Sequence, residues 1–500
     1  MRILFIIPVI ILNASSLVAQ LSGSNLLESQ FGDTPFGDLD NRSVVYNQIN
    51  LSYRHNDIWI QSRYELFLSP DPDRSYTELT QLRLQYRRDG FTLKVGNLYE
   101  TLGRGLLLRS YEIPGSLYED LGYRSRYSFF RDLEGISFEY RADLFDIKFL
   151  RGRPLLNILP PDEDKQIRRP DQLEAGQLKF RPYHFIEIGT AYMSTITEDE
   201  KQGFGSLQLD IVLPGGVQLY SEYATGLGEE HNPLGFEKSD AFAYYGGLSW
   251  FYGAFGASVE RKHYNHFRMG ISGFNDPPSL VKEHSYALLN RSTHVLETSN
   301  ETGWQMEGYY QFRSGSRMTL NYTIAKNDLS KSFRYHEWFG EYLHRFSPGR
   351  NLKVFGDFAR DDLKLETNRI TGGIIARHQI NHLWGTGIDL QYQQLERLPV
   401  HEGIIRNYYT SVSVSYAPAL SFSLLYEHAN DPNQVDDPRT REIETGFRQW
   451  LGFSGSWQYK TNHSFLLFVG KRRGGPSCTS GICYEILDFE GVEIRYTTKF

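Results

Sequence analysis

Along most of this chain apolar and polar residues alternate one by one. In one short segment the apolar set is Leu82, Leu84 and Tyr86; in another it is Leu207, Leu209, Ile211 and Leu213, against Ser206, Gln208 and Asp210. Trp384, Thr386, Ile388, Leu390 and Tyr392 oppose Gly385, Gly387, Asp389, Gln391 and Gln393. Val412, Val414 and Tyr416 oppose Ser411, Ser413 and Ser415, and Leu420, Phe422, Leu424 and Tyr426 follow at once. Successive side chains on a strand point to opposite faces, so each segment predicts a strand with one apolar and one hydrophilic face. No stretch of comparable length carries helical periodicity. The chain closes on the same pattern: Val492, Ile494, Tyr496, Thr498 and Phe500 alternate with Glu493, Arg495, Thr497 and Lys499.

Alternation also suits a β-sandwich, and the rhythm of the connections separates the two. Short turns are predicted near Asn56-Asp57, Asp89-Gly90, Asp143, Pro182-Tyr183, Pro214-Gly215 and Gly253. More are predicted near Gly315, Pro348-Gly349, Asn381, Pro418 and Thr461-Asn462. Between them lie longer polar connections, including 97–133, 152–174, 226–240, 264–301, 429–442 and 472–482. Short turns at one end and long loops at the other are the habit of outer-membrane barrels. With Leu21–Phe31 as the first strand, the expectation is all-β: a single large transmembrane antiparallel β-barrel. It has about 24 strands, in a range of roughly 22 to 26, with short periplasmic turns and long extracellular loops.

Composition strengthens that reading. The chain holds 33 Tyr, 32 Phe and 7 Trp, and aromatic rings collect where a barrel meets the two membrane–water interfaces. Its mean hydropathy of -0.45 does not oppose a membrane barrel, because only alternate residues face lipid. Met1-Arg2, the apolar run Ile3–Leu12 and the small residues Ser15–Ala19 form a secretory signal peptide. The expected organisation is therefore a signal peptide over 1–19 and an outer-membrane β-barrel over 20–500. No cysteine follows the cut, so no lipid anchor is expected. The net charge of -7 disfavours nucleic acid as a partner. Outer-membrane lipid and the barrel-insertion machinery are the expected partners, the latter reading a terminal signal at Tyr496 and Phe500.

Around 16 to 18 strands already leave an aqueous channel, so about 24 need something inside. No N-terminal plug precedes the strands, which counts against a TonB-dependent receptor. The first candidate is the segment 97–133. Its pore-lining candidates are Glu100, Arg104, Arg109, Glu112, Arg124, Arg126, Arg131 and Asp132, interleaved with Glu119 and Asp120. Mixed charge of this density across a constriction would set a transverse field and select permeants. A solvated surface loop with weak ion pairs is the competing reading. Gly103, Gly105 and Leu106-Leu107-Leu108 favour a packed segment. The loop 264–301 is the second candidate.

Cys478 and Cys483, in an exported protein, predict a disulfide tying the last long loop. No metal site and no cofactor are expected. The acidic run Asp431–Asp437 lacks the glycine and closing Glu of an EF-hand. His263 and His266, three apart on a strand, fall on opposite faces, and His378 and His382 fall around a turn. No nucleophile elbow, zinc-protease helix or phosphate-binding glycine loop is present, so no enzyme is expected.

Gln20-Leu21-Ser22-Gly23-Ser24 and the segment from Gly96-Asn97-Leu98-Tyr99-Glu100 to Tyr111-Glu112 resemble an uncharacterised family of Bacteroidota outer-membrane barrels. That family is known only as a domain of unknown function, so the resemblance implies fold and location and brings no substrate. Two functions follow from the residues. One is a porin-like channel for small solutes with an inward-folded loop. The alternative is a plugged barrel serving a secretion, adhesion or surface-lipoprotein complex, with a periplasmic or surface protein as partner.

Overall fold

The computed structural model describes residues 21–34, 42–120, 124–155, 172–196, 201–227, 238–267, 275, 277–294, 300–328, 332–398, 401–432, 446–479 and 482–500. The signal segment 1–19 and most of the acidic run Asp431–Asp437 lie outside them. The chain begins with β1 (Leu21–Asp33), β2 (Arg42–His55), β3 (Ile58–Leu68), β4 (Tyr76–Arg88) and β5 (Phe91–Leu98). Four short strands follow: β6 (Thr101–Leu102), β7 (Leu108–Arg109), β8 (Tyr111–Glu119) and β9 (Arg126–Arg131). Next come β10 (Leu133–Arg141), β11 (Phe145–Pro154), β12 (Gln172–Tyr183), β13 (Ile186–Ile196), β14 (Lys201–Leu213) and β15 (Val217–Leu227). After β16 (Lys238–Tyr252) and β17 (Phe255–Asn265) a single helical turn, α1 (Ala287–Arg291), precedes β18 (Glu301–Gln311). β19 (Arg317–Asp328), β20 (Ser332–Ser347), β21 (Arg350–Asp361), β22 (Glu366–Gln379) and β23 (Trp384–Arg397) continue the wall. It ends with β24 (His401–Tyr416), β25 (Leu420–Ala429), β26 (Arg448–Tyr459), β27 (His463–Arg472), the hairpin β28 (Gly475–Thr479) and β29 (Ile482–Ile486), and β30 (Phe489–Lys499).

Twenty-four of these form one antiparallel sheet, and the sheet closes where β1 pairs with β30. At the seam Glu28 lies opposite Arg495 and Gln30 opposite Glu493. The side chains repeat the pairing: Arg495 Nε donates to Glu28 at 2.8 Å and Gln30 Nε2 to Glu493 at 2.6 Å. Closure leaves no strand edge unpaired, which is what a lipid surroundings demands of a sheet.

Each expected short turn is present, though the one placed at Pro182-Tyr183 falls two residues later, between Tyr183 and Ile186. A register shift at the end of β12 carries that strand through the proline. The opposite end is less uniform than expected: 197–200, 329–331, 362–365 and 398–400 connect strands as briefly as the turns do. Leu21, the first described residue, and Phe500 lie at the short-turn end, where Phe500 N donates to Gly23 O at 3.0 Å.

The two faces separate as the alternation dictates. On β3, Ile58, Ile60, Tyr64 and Leu68 face out and are exposed, while Arg63, Glu65 and Phe67 face in and are buried. The same holds around the ring, with Leu207 64%, Leu320 54% and Leu424 52% exposed on the exterior. Aromatic residues bracket this aliphatic belt. Near the turns Trp384 packs on Tyr416 at 5.0 Å and Phe465 on Tyr496 at 4.5 Å between ring centres. Toward the loops Tyr322 packs on Trp338 at 4.1 Å and Tyr392 on Tyr408 at 5.0 Å. From Trp384 to Tyr392 is roughly 27 Å along the strand. With the usual tilt of about 35–45° that is roughly 20 Å along the membrane normal, close to but shorter than the roughly 25 Å apolar band of a membrane barrel.

Candidate functional site: the filled lumen

Inward side chains change character along the barrel axis. On β23, Gly385, Gly387 and Asp389 near the turns are half-buried, whereas Gln391, Gln393 and Leu395 toward the loops are buried. β2 repeats the gradient from Ser52, half-buried, to Gln48, Tyr46, Val44 and Arg42, all buried. Segments of the chain itself occupy the loop-side half of the lumen.

The first is the stretch between β5 and β10. Leu106, Leu107 and Leu108 pack on Leu150, Leu173, Met193 and Phe204 and on the small inward residues Ala175, Ala191, Ala224 and Ala243. Each such leucine contributes about 1.5–3 kcal/mol by leaving water. The small wall residues make room for them, which is why this sector of the lumen is apolar. Gly103 has φ +58°, and a Cβ there would meet the Glu222 carboxylate at 2.3 Å. The turn brings the Arg104 N–H to Glu222 Oε2 at 2.7 Å and lays its guanidinium over Tyr220.

The hairpin β8–β9 continues that stretch across the closure seam. Arg126 pairs with Glu28 at 2.5 Å, Glu119 at 3.4 Å and Glu493 at 3.7 Å, joining both seam strands from inside. Glu119 also receives Arg42 and Arg124, at 3.2 and 3.0 Å. Wall residue Glu65, wholly buried, accepts from Tyr46 Oη and Thr80 Oγ1 at 2.7 Å and from Ser128 N at 2.9 Å.

The second segment runs from β17 to β18, with residues 277–294 set against β18–β25. Here the wall carries acidic residues, and the segment brings His284, Arg291 and His294 to them. His294 Nδ1 lies 2.8 Å from Asp361, and His284 Nε2 lies 3.1 Å from Glu337. Arg291 pairs with Glu427 at 2.6 Å. Arg369, buried on β22, meets Asp357 and Glu337 at 3.2 Å and Glu366 at 3.3 Å, and donates to the Ser292 carbonyl at 2.8 Å. Asn290 exchanges two hydrogen bonds of 3.1 Å with the Cys478 backbone, so the β28–β29 hairpin caps α1. Tyr484 of that hairpin packs on Phe129 of β9 and joins the first segment to the second.

The pore-lining candidates therefore mostly meet partners. Glu100 accepts from Lys94 at 2.7 Å and Lys148 at 2.9 Å. Burial pushes its carboxyl up, but the two lysines outweigh burial and hold it below its ordinary value. Glu112 pairs with Arg63, Asp132 accepts from Asn97 at 2.6 Å, and Arg124 also reaches the Asp488 carbonyl at 2.6 Å. Arg109 lies over Tyr111, and Arg131 sits opposite Tyr111 in the hairpin. Cys478 is disulfide-bonded; the side chain of its register partner Cys483 lies outside the described residues. Tyr496 stacks outward on Phe465 and His463, and Gly23 leaves room for Phe500, whose ring a Cβ would meet at 2.6 Å.

The wall anchors Glu65, Glu337, Asp357, Asp361 and Arg369 were not among the sequence candidates. A usable signal existed: each is a charge at an inward position in the loop-side half of a strand.

No protein-family model matches the chain, and no curated protein matches it. Among solved structures, it is similar to the OpdO protein of Pseudomonas aeruginosa at 14% identity and TM-score 0.41, covering 69% of this chain and 93% of that one. A BenF-like porin from Pseudomonas fluorescens Pf-5 matches at 12% identity and TM-score 0.41, covering 75% and 98%. The translocation pore of the P pilus usher PapC matches at 8% identity and TM-score 0.49, covering 96% and 99%. Those likenesses carry no function across. The barrel stands on this chain's own closed register.

Proposed function

We propose that this chain is an outer-membrane, porin-like channel for small solutes, narrowed by its own inward-folded segments. The carrying observation is the lumen's division: polar, half-buried side chains line the turn-side half, and loops of the same chain fill the other. The apolar exterior between aromatic girdles supports a membrane setting, and the predicted signal peptide supports export to the outer membrane with the short turns in the periplasm. Glu100, Arg104, Arg109, Glu112, Arg124, Arg126, Arg131 and Asp132 would then set the constriction by holding the first segment to the wall. Tyr496 and Phe500 would present the terminal signal to the insertion machinery. The reading includes the Bacteroidota family, whose support is the resemblance of Gly96–Glu100 and Tyr111-Glu112 in sequence. Planar-bilayer conductance of the purified mature chain tests the channel: discrete steps support it, and electrical silence rejects it.

The buried ion pairs that fasten the segments favour a second reading, a plugged barrel serving a surface or secretion complex. That reading requires a stoichiometric partner to co-purify from the native membrane together with a silent barrel.

A further inference from the structure

On the inner wall of β1–β4, in the turn-side half, lies a cavity of about 540 Å³. Trp59, Gln61, Arg63, Gln81 and Arg83 come from the wall, and Tyr99 and Glu112 of the first inward segment form its roof. The volume falls within the usual range for a small-molecule site. Its charge is unbalanced. Arg63 is committed to Glu112, and its Nε donates to Asn50 Oδ1 at 2.7 Å, yet its Nη1 is buried with no hydrogen-bond partner. Arg83 is half-buried, donates to the neutral Gln61 Oε1 and lies 5.4 Å over Trp59; no carboxylate pairs with it among the described residues. A third cation, Lys499, also lines the space. Three cationic side chains thus line a partly desolvated recess in which Glu112 is the one acidic side chain among the described residues. A guanidinium without a counter-ion in such a place is set to take one, most strongly a planar or tetrahedral oxyanion.

We propose that this cavity is a binding subsite for a small organic anion, carboxylate or phosphate ester, with Arg83 as its principal ligand and Trp59 flanking the anion's body. The subsite rests on the channel reading and names the class of solute it would pass. The first inward segment forms the roof, so solute in the cavity touches the element that narrows the lumen.

Titration calorimetry of the detergent-solubilised full chain tests the subsite separately from conduction, with benzoate and inorganic phosphate as anionic probes and glucose as the neutral one. Binding of either anion, weakened about tenfold or more in Arg83→Gln and unchanged in Lys353→Gln on the opposite wall, is the expected result. Benzoate binding alone marks a carboxylate site, and phosphate binding alone a phosphate-ester site. Failure of both anions to bind, tighter binding of glucose, or equal weakening in the two variants would overturn the proposal. A conducting barrel that binds neither anion would remove the subsite and leave the channel. A silent barrel that binds one would do the reverse.

Discussion

At the scale of single residues, the interior is organised by charges that a strand pattern alone would place in water. Arg369 is the clearest. It sits among Asp357, Glu337 and Glu366 and holds the Ser292 carbonyl, so wall and filling meet on one guanidinium. Buried pairs of this kind are weak evidence of net stability, but removing one partner strands the others. Arg369→Met is expected to destabilise the barrel by about 3–5 kcal/mol and to expose residues 277–294 to protease. Equilibrium unfolding and limited proteolysis check both effects. Charged anchors that hold the filling escaped the sequence because their partners there lie far off in the chain, Ser128 63 positions from Glu65 and Ser292 77 positions from Arg369, a separation that alternation does not encode. Glu65 finds Ser128, and Arg126 finds Glu493, only once the ring has closed.

Among the elements, the inward segments divide the lumen by chemistry: the first uses an apolar sector, the second an acidic one. Leu107→Ala removes a wholly buried side chain and should cost about 2–5 kcal/mol, read as faster hydrogen exchange across 99–110 than in Arg369→Met. The second segment should respond to pH. His294 faces Asp361 and Glu301, stacks on Tyr335, and lies near Lys262, which pairs with Glu301, and Lys364, which donates to Thr293 O. Burial pulls its pKa down, but the hydrogen bonds and charges of Asp361 and Glu301 raise it above 6.5. A raised pKa makes the contribution complete below 6.5 and lost as pH climbs through the folded value. Protection of 287–294, taken relative to the intrinsic base-catalysed exchange rate, should therefore fall as pH climbs above 6.5, and His294→Gln should flatten that fall. The sequence did expose the first segment through Leu106-Leu107-Leu108, a run too apolar for a solvated loop. The acidic residues opposite the second segment lie on β18, β20, β21, β22 and β25, and an inward charge on a strand does not say which loop it meets.

For the whole molecule, strand count, closure and both rings of aromatics were legible because period two and turn chemistry are local. The partition of the lumen into a wet half and a filled half was not, since it depends on where loops return in space. The exterior should obey the membrane's rules: Leu207→Arg, at the middle of the lipid face, should cost about 2–4 kcal/mol in vesicle refolding. Ser413→Arg, inward and near the turns, should cost under about 1 kcal/mol. The most direct measurement is the labelling of single cysteines along β23 in a lipid bilayer by a small hydrophilic maleimide. Asp389→Cys should react quickly, Gln393→Cys slowly, and Leu390→Cys hardly at all. Leu390→Cys reacting as fast as Asp389→Cys would contradict a lipid-facing exterior, and equal rates at 389 and 393 would contradict a lumen filled from the loop side.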